Sequence, residues 1–287
     1  MALRFLVVEG NARAERETHR RHFGTTYAEG WAALLSALVP GCACDIVCPA
    51  DEDARLPDAG GLEGWDGVFL TGSALNLYDG GPAVARQIDL MRAVYAAGTP
   101  AFGSCWGLQV GAAAAGGTVV RNPAGREVGF ARRIVPTPAG REHPMLADRP
   151  AAFEAPAVHL DIVETAPEGT TVLAGNRLAP IQAAEIRHDG GLFWGVQYHP
   201  EFSLSELAAI VDRLAEPLTR EGFFADVAGV SAFAADLRAL DADPGRGDLA
   251  WRHGIDAEVL DPTRRTAEIA RFVAHAVVPA KAARGRA

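Results

Sequence analysis

Short apolar runs alternate with amphipathic stretches along the chain up to about residue 117. The run from Leu3 to Val8 is uninterrupted, which is typical of a strand buried on both faces of a parallel sheet. Further strands are predicted in CDIVCP, GVFLTGS and TPAFGSCW. Helical spacing predicts helices in YAEGWAALLSALVP, AVARQIDLMRAVYAAG and GLQVGAAAAGG. This alternation predicts an α/β fold with a doubly wound, mostly parallel central sheet and helices on both of its faces.

The pattern changes in the second part of the chain. From Thr118 to about Ile186, prolines and short β-like runs predict a small antiparallel or mixed extension of the sheet. GLFWGVQYHPEFS predicts one more buried strand, and SELAAIVDRLAE predicts the helix that follows it. From about Pro217 onward the spacing is helical. We therefore predict an α/β domain over residues 1–216 and a helical C-terminal extension over residues 217–287, which either covers the domain or forms an oligomer or partner interface.

Charge and hydropathy narrow the range of partners. The formal net charge of −9 argues against nucleic acid or an anionic membrane surface. No segment approaches the roughly 18 apolar residues of a membrane-spanning helix. The first ten residues are typical of a strand rather than a signal peptide, and a cytoplasmic, reducing location is therefore expected. No glycine-rich phosphate loop is present, so we expect no nucleotide site and no cofactor.

Two clusters of residues have alternative interpretations. Three cysteines, Cys42, Cys44 and Cys48, have the spacing C-x-C-x3-C, which allows a zinc site. The strand pattern and the lack of a histidine cluster nearby favour the alternative that they pack in the core and bind no metal. An arginine-rich stretch follows the first strand and contains Arg13, Arg16, Arg20 and Arg21. It could bind an anionic substrate or partner, but we favour the alternative that it forms a solvated face.

The strongest candidate for chemistry is the segment FGSCWGLQ. Gly103-Ser104-Cys105-Trp106-Gly107 has the form G-x-nucleophile-x-G, which marks a sharp strand-to-helix turn in α/β enzymes. The turn would place the thiol at a helix N-terminus, which favours thiolate, with the Trp106 N–H aimed at a developing oxyanion. Ser104 is off the centre of this frame and is not the expected nucleophile. The alternative is a buried structural cysteine.

A histidine and a glutamate follow the last predicted strand, in GVQYHPEF. His199 and Glu201 are two residues apart in an extended chain, which Pro200 helps to maintain, so they project to the same side. An imidazole can exchange protons with a thiol, and a carboxylate can orient it. The alternative is a surface histidine with an incidental acidic neighbour. Because parallel strands end at one edge of their sheet, we expect Cys105 and His199 to meet there.

These motifs together resemble those of the class I (triad) glutamine amidotransferases, a flavodoxin-like family, and are similar to the stand-alone glutaminase domain of the GMP synthase type. The resemblance rests on GSCWGLQ, YHPE, LTGS, REVGF and VHLDIV and covers roughly residues 3–215. It implies that Cys105 attacks the side-chain amide of glutamine and forms a γ-glutamyl thioester, which is then hydrolysed. His199 is then the general base and acid, and Glu201 orients it.

The resemblance also implies further site residues. Gly72 and Ser73 of the TGS turn should supply an oxyanion-hole N–H together with Trp106, although Ser73 and Ala74 stand where the family commonly has Gly and Pro. Gln109, one helical turn after Cys105, should contact the substrate, or else is a helix-surface amide. Val158, His159 and Leu160 match a segment that contacts the substrate main chain, but His159 is equally well explained as a packed core histidine.

Three functions are compatible with these residues. In the first, the chain is a glutaminase or amidotransferase that passes ammonia to an unidentified acceptor or to a partner synthetase in trans. In the second, it hydrolyses γ-glutamyl compounds with the same three residues and needs no partner. The third is a non-catalytic binding protein that has kept the fold, against which the intact Cys-His-Glu set argues. We favour the first function at this stage.

Overall fold

The computed structural model describes residues 2–285 and is built on one nine-stranded sheet, with a separate pair of strands beside it. The strands are β1 (Arg4–Val8), β2 (Ala43–Val47), β3 (Gly67–Leu70), β4 (Ala101–Ser104), β5 (Thr118–Arg121), β6 (Glu127–Pro136), β7 (Phe153–His159), β8 (Asp161–Thr165), β9 (Thr170–Gly175), β10 (Ala183–His188) and β11 (Gly191–Val196).

The order of strands in the large sheet is β2-β1-β3-β4-β11-β10-β9-β6-β7, and β5 pairs with β8 in the small one. The five strands from β2 to β11 in this order are parallel neighbours. The strands from β11 to β7 pair antiparallel. The predicted doubly wound α/β fold is confirmed, and the predicted antiparallel extension continues the same sheet.

Fourteen α-helices lie within residues 2–285: α1 (Arg13–Phe23), α2 (Tyr27–Leu38), α3 (Ala59–Leu62), α4 (Pro82–Ala96), α5 (Trp106–Ala114), α6 (Pro138–Glu142), α7 (Leu204–Arg213), α8 (Ala215–Arg220), α9 (Val227–Ala242), α10 (Gly247–His253), α11 (Ala257–Leu260), α12 (Pro262–Arg265), α13 (Ala267–Phe272) and α14 (Val278–Ala283). Single 3-10 turns occupy Leu77–Asp79 and Pro144–Leu146, and a π-helical turn at Val273–Val277 joins α13 to α14. None of these helices combines the length and apolar character needed to cross a membrane.

The four inner parallel strands, β1, β3, β4 and β11, are buried on both faces, which explains their nearly continuous apolar sequences, whereas the edge strand β2 is partly exposed. Along β1, Phe5 and Val7 point into one core with α2, while Leu6 and Val8 point into the other with α4 and α5. Alternate residues of a strand project to opposite faces, so one short run fills two cores. A third core joins α7 and α9 to the antiparallel half of the sheet through Phe130.

Local signals set the limits of several helices. At α2, Thr26 and Glu29 form a reciprocal capping box, in which each side chain accepts a hydrogen bond from the other residue's backbone N–H (3.2 and 2.8 Å). The α4 helix starts at Pro82, where a missing N–H costs nothing. Asp226 caps α9 by accepting a hydrogen bond from the N–H of Gly229.

The arginine-rich stretch forms α1, a helix that the apolar pattern does not predict. It is polar on almost every face, and its one buried side chain is His19. Arg13 and Arg16 place their guanidinium groups 3.2 and 2.7 Å from the Asp51 carboxylate. These arginines are therefore engaged with a neighbouring loop, which favours the structural interpretation over an anion site. The Arg13 side chain is exposed, so its pair contributes little to the free energy of unfolding, whereas the Arg16–Asp51 pair is largely buried.

The C-terminal helices pack on the sheet. Phe272 lies against Phe69, Phe102 and Trp194, with ring centroids 5.5 to 5.7 Å apart. The C-terminal helices therefore cover the sheet's own core. The division at residue 217 stays a prediction, and Met1 and residues 286–287 of the two predicted regions lie outside the described residues.

Candidate active site

The predicted catalytic residues and the TGS turn follow three neighbouring parallel strands, β3, β4 and β11, at one edge of the sheet. Gly72 comes after β3, Cys105 after β4, and His199 and Glu201 after β11. A crevice at the carboxyl ends of parallel strands is the usual ligand position in open α/β sheets. The structure thus brings together residues that are up to 129 positions apart in the sequence (from 72 to 201).

Cys105 occupies a strained elbow between β4 and α5. Its φ is 51° and its ψ is −106°, in the left-handed half of φ space that residues with a Cβ rarely adopt. A Cβ on Gly103 would lie 2.6 Å from the carbonyl carbon of Gly107, and one on Gly107 would lie 2.7 Å from the oxygen of Leu70. Only glycine fits at these two places. The thiol stands at the N-terminal end of α5, beside the unpaired N–H groups of its first turn.

The ring of His199 is held between two neighbours. Its imidazole stacks on Phe202, with centroids 3.9 Å apart and planes 5° apart. On the β3 side, a Cβ on Gly72 would lie 2.8 Å from Cε1 of the ring. The backbone N–H of His199 donates a 2.7 Å hydrogen bond to the Pro156 carbonyl. Ring orientation is therefore fixed by packing before any substrate arrives.

Glu201 completes the expected constellation. Its Oε1 lies 2.7 Å from Nδ1 of His199, and both side chains are buried. The same oxygen accepts a 2.7 Å hydrogen bond from the Ser104 hydroxyl, a contact that the sequence did not suggest. The carboxylate is therefore fixed from two sides and can keep the proton on Nδ1, which leaves Nε2 for proton exchange.

The charges around His199 favour its protonated form. Burial alone would lower the pKa of the ring, but the Glu201 carboxylate, the charge of Cys105 and hydrogen bonds to both residues raise it to about 10. The imidazolium form is therefore the stable one at neutral pH. A cationic ring beside a sulfur nucleophile is the arrangement that catalyses acyl transfer by a thiolate.

Hydrogen bonds fix the turn predicted to form part of the oxyanion hole. The Ser73 hydroxyl donates to the Gly10 carbonyl (2.9 Å) and accepts from the N–H of Leu75 (3.1 Å). Asn11 accepts a 2.9 Å hydrogen bond from the N–H of Ala74. The hydroxyl of Ser73 thus closes the turn, which gives a physical reason for the departure from the Gly and Pro that the family commonly has. Which backbone N–H would face an oxyanion stays a prediction.

A cavity of about 270 Å³ opens above Cys105, close to the lower end of the range for small-ligand sites. The predicted residues that line it are Gly72, Ser73, Cys105, Gln109, Val158, His159, Leu160 and His199. Glu201 lies behind His199. Trp106 begins α5, and its buried indole donates to Gln87.

Two of the predicted substrate contacts are occupied by protein groups. Both ring nitrogens of His159 face acceptors, the Glu127 carboxylate at 2.8 Å and the Asp161 carbonyl at 3.1 Å. This favours its interpretation as a packed core histidine. Gln109 is buried, and its amide N–H donates to the same Asp161 carbonyl at 3.1 Å. Of the functional groups of Gln109, its amide oxygen is the one available to a ligand.

Sequence reasoning missed several residues that line the cavity. They include Tyr27, Asn76, Arg126, Asp161, Phe202, Ile210, Arg213 and Leu214. Phe202 lies within the quoted YHPEF segment, which was its signal. Arg126 and Asp161 likewise lie within the quoted REVGF and VHLDIV segments. The remaining residues come from helices and a loop whose local patterns gave no signal of a site. Within residues 2–285, no group of three or more His, Cys, Asp or Glu side chains is arranged to hold a metal ion.

The chain is similar to several known proteins. Residues 33–214 match the family model of the class-I glutamine amidotransferases. The chain is 33% identical over 284 residues to a γ-glutamyl-L-1-hydroxyisopropylamide hydrolase of Pseudomonas sp, covering 96% of this chain and 94% of the hydrolase. It is 34% identical over 238 residues to a glutamine-hydrolysing GMP synthase of Leifsonia xyli subsp. xyli, covering 79% of this chain but 42% of the synthase.

A solved structure has the same fold. A glutamine amidotransferase from Thermotoga maritima matches with a TM-score of 0.60 and 16% identity, over 94% of this chain and 99% of the other.

Proposed function

The chain belongs to the class I glutamine amidotransferase family and is an amide-hydrolysing enzyme, and from this premise we propose that it hydrolyses a γ-glutamyl amide to glutamate and a small amine. One observation carries the proposal. The likeness to a γ-glutamyl amide hydrolase extends over 96% of this chain, whereas the likeness to the GMP synthase spans less than half of that protein. The hydrolase is therefore preferred over the ammonia-supplying glutaminase, which the sequence alone favoured.

In the proposed first step, the Cys105 thiolate attacks the γ-carbonyl carbon. The carbonyl oxygen takes up the displaced electron pair and is stabilised by the N–H of Trp106 and by an N–H of the turn at Gly72 and Ser73. His199 donates its Nε2 proton to the amide nitrogen as the C–N bond breaks. The amine leaves, and the γ-glutamyl group remains on sulfur as a thioester.

The second step returns the groups to their starting state. His199, now neutral, takes a proton from a water molecule as the water oxygen attacks the thioester carbon. The C–S bond breaks, glutamate leaves, and the thiolate and imidazolium are restored. Glu201, 2.7 Å from Nδ1, stabilises the imidazolium in both steps.

Polar side chains suit one part of the cavity to the amino acid end of the substrate. Asn76, Gln109 and Asp161 line the cavity together, and the Asp161 carboxylate accepts a 3.0 Å hydrogen bond from Tyr78. A carboxylate with a fixed orientation can pair with the α-ammonium group of a γ-glutamyl compound. We assign the γ-glutamyl group to this part of the cavity.

Glutamate release from a substrate panel tests the proposal. The purified chain would be given L-glutamine, γ-glutamyl dipeptides and γ-glutamyl amides of small amines, with Cys105→Ala as the inactive control. We expect a higher kcat/KM for the substituted amides than for glutamine. A strong preference for glutamine would contradict the proposal.

The second candidate is a glutaminase that supplies ammonia to a partner synthetase in trans. The match to the GMP synthase over 79% of this chain supports it. It predicts that glutamine is the best substrate and that turnover rises when the partner is present. The same panel therefore separates the two functions.

A further inference from the structure

The chemistry of the proposed reaction indicates which part of the cavity receives the leaving amine. His199 must reach the leaving nitrogen to protonate it, so the substituent on that nitrogen lies near the His199 ring. The ring stacks on Phe202, and Phe202 in turn lies against Tyr27, with ring centroids 5.6 Å apart. The side of the cavity that extends from His199 through Phe202 to Tyr27 is therefore the side that contacts the substituent.

This leaving-group wall consists of Tyr27, Phe202, Ile210, Arg213 and Leu214. The first three residues form a buried apolar cluster, against which Leu214 packs. They come from the start of α2, the segment after β11, and α7. An apolar wall of this size fits a short alkyl group, and glutamine has no substituent to place there.

Arg213 is the exception in this wall. It is half-buried at the end of α7, lines the cavity, and has its Nη2 3.4 Å from the Tyr27 hydroxyl. No carboxylate among residues 2–285 lies within 4.0 Å of its guanidinium nitrogens. The other arginine of the cavity, Arg126, is paired with Glu221 at 2.8 Å. Arg213 thus presents a cation with no protein anion against it, next to an apolar wall.

We propose that Arg213 selects leaving amines whose short alkyl group carries an oxygen acceptor, a carboxylate or a hydroxyl, over amines that are wholly apolar or carry a second positive charge. This inference rests on the proposed γ-glutamyl amide hydrolysis and names its substrate class. A guanidinium donates hydrogen bonds to oxygen acceptors and repels cations, and a carboxylate gains most because it is charged.

A matched series of γ-glutamyl amides tests the inference. The amines are alanine, its reduced alcohol alaninol, sec-butylamine, in which a methyl replaces the hydroxyl of alaninol, and the diamine in which an ammonium replaces it. We expect wild-type kcat/KM to be roughly ten- to hundredfold higher for the two oxygenated amides than for the sec-butyl amide, as for hydrogen bonds to charged groups. The diamine should be the poorest substrate.

Substitutions assign the preference to Arg213. Arg213→Met should abolish the difference in kcat/KM between the oxygenated and sec-butyl amides, while Arg213→Lys should keep part of that difference. Arg220→Met, on α8 outside the cavity lining, is the matched control. An equal loss of kcat/KM on all substrates, glutamine included, would place Arg213 against the γ-glutamyl group. That result would overturn this inference but not the proposed hydrolase function.

Binding to the Cys105→Ala variant gives the same comparison without turnover. Calorimetry of the four amides should show the same order of Kd values, and Arg213→Met in that background should flatten it. If wild type hydrolyses glutamine but neither hydrolyses nor binds any substituted amide, the hydrolase proposal fails and takes this inference with it. If the amides bind and react with equal constants, only the inference fails.

Discussion

The Ser104 hydroxyl donates a 2.7 Å hydrogen bond to Oε1 of Glu201, the same oxygen that lies 2.7 Å from the His199 ring. Ser104 is the last residue of β4 and is fully buried. It therefore connects the strand that carries the thiol to the carboxylate behind the imidazole. Because the two residues are 97 positions apart, no local pattern could indicate this bond.

Replacing Ser104 with alanine should lower kcat more than it changes KM. The Glu201 carboxylate would lose one of its two fixed partners, and the imidazole would be oriented less well. Hydrogen bonds to charged groups contribute about 1.5–3 kcal/mol, so we expect kcat to fall by roughly ten- to hundredfold. Steady-state kinetics with the preferred γ-glutamyl substrate measure this.

Ser36→Ala is the matched control for that variant. Ser36 is exposed, and its hydroxyl donates a 2.8 Å hydrogen bond to the Ala32 carbonyl of its own helix. It should leave kcat and KM at wild-type values. An unchanged kcat in Ser104→Ala would show that Glu201 needs no help from this hydroxyl.

The raised pKa of His199 predicts how activity depends on pH. The proposed first step needs the imidazolium as proton donor, so kcat/KM should fall as the pH rises through about 10. Glu201→Gln removes the carboxylate that raises this pKa, so the fall should begin at a lower pH in the variant. A pH profile of kcat/KM for both proteins measures the shift. If kcat/KM falls over the same alkaline pH range in both proteins, the prediction is wrong.

The same pKa has a consequence for stability. A histidine whose pKa is raised on folding stabilises the protein fully below its unfolded pKa of about 6.5, and this contribution is lost as the pH rises through about 10. The difference in unfolding free energy between wild type and His199→Gln should therefore shrink over that interval. Urea unfolding at several pH values measures it.

Gly72 is expected to tolerate no side chain. An added Cβ would lie 2.8 Å from Cε1 of His199, so either the ring must be displaced from its stacked position on Phe202 or the turn must shift. Because positioning errors of about 1 Å can cost roughly a hundredfold in rate, we expect Gly72→Ala to lower kcat by about that factor. Kinetics together with a melting curve separate this loss from unfolding.

Gly30→Ala provides the comparison for that substitution. A Cβ at Gly30 meets no atom within 4 Å, and the residue lies inside α2. Alanine there should raise the unfolding free energy by about 0.5–1 kcal/mol and leave kcat unchanged. Equal kinetics in the two variants would mean that the contact between Gly72 and His199 is not limiting.

Local patterns were sufficient for the parallel strands and for the elbow. The apolar runs of β1, β3 and β4 are short and buried on both faces, and the glycines around Cys105 have a steric role that spacing alone reveals. The TGS turn was also found, although the role of the Ser73 hydroxyl was not. That hydroxyl bonds to Gly10, which is 63 residues away.

The features that were missed depend on distant partners. The α1 helix has almost no apolar stripe, because its charged side chains face solvent and the Asp51 loop. Arg213 ends an ordinary amphipathic helix, and only the fold places it beside Tyr27, 186 residues away. Periodicity reports which face of an element is buried, but it does not report what lies opposite that face.

Arg149 links the C-terminal helices to the residue before His199. Its guanidinium is buried and donates three hydrogen bonds of 2.7 to 2.9 Å to Glu268 and another to Glu258. Glu268 also accepts a 3.0 Å hydrogen bond from the hydroxyl of Tyr198. These contacts tie α11 and α13 to the segment that carries the imidazole.

Arg149→Met should destabilise the protein by about 3–5 kcal/mol, because it leaves the buried Glu268 carboxylate without its cation, while Glu258 keeps its contact with Arg264. Urea unfolding measures the loss. Arg238→Met, which breaks an exposed pair with Asp212, should change the unfolding free energy little. Adding Glu268→Gln to Arg149→Met should recover part of the loss, since the uncompensated charge is then gone. If Arg149→Met is no more harmful than Arg238→Met, the network does not hold the C-terminal helices in place.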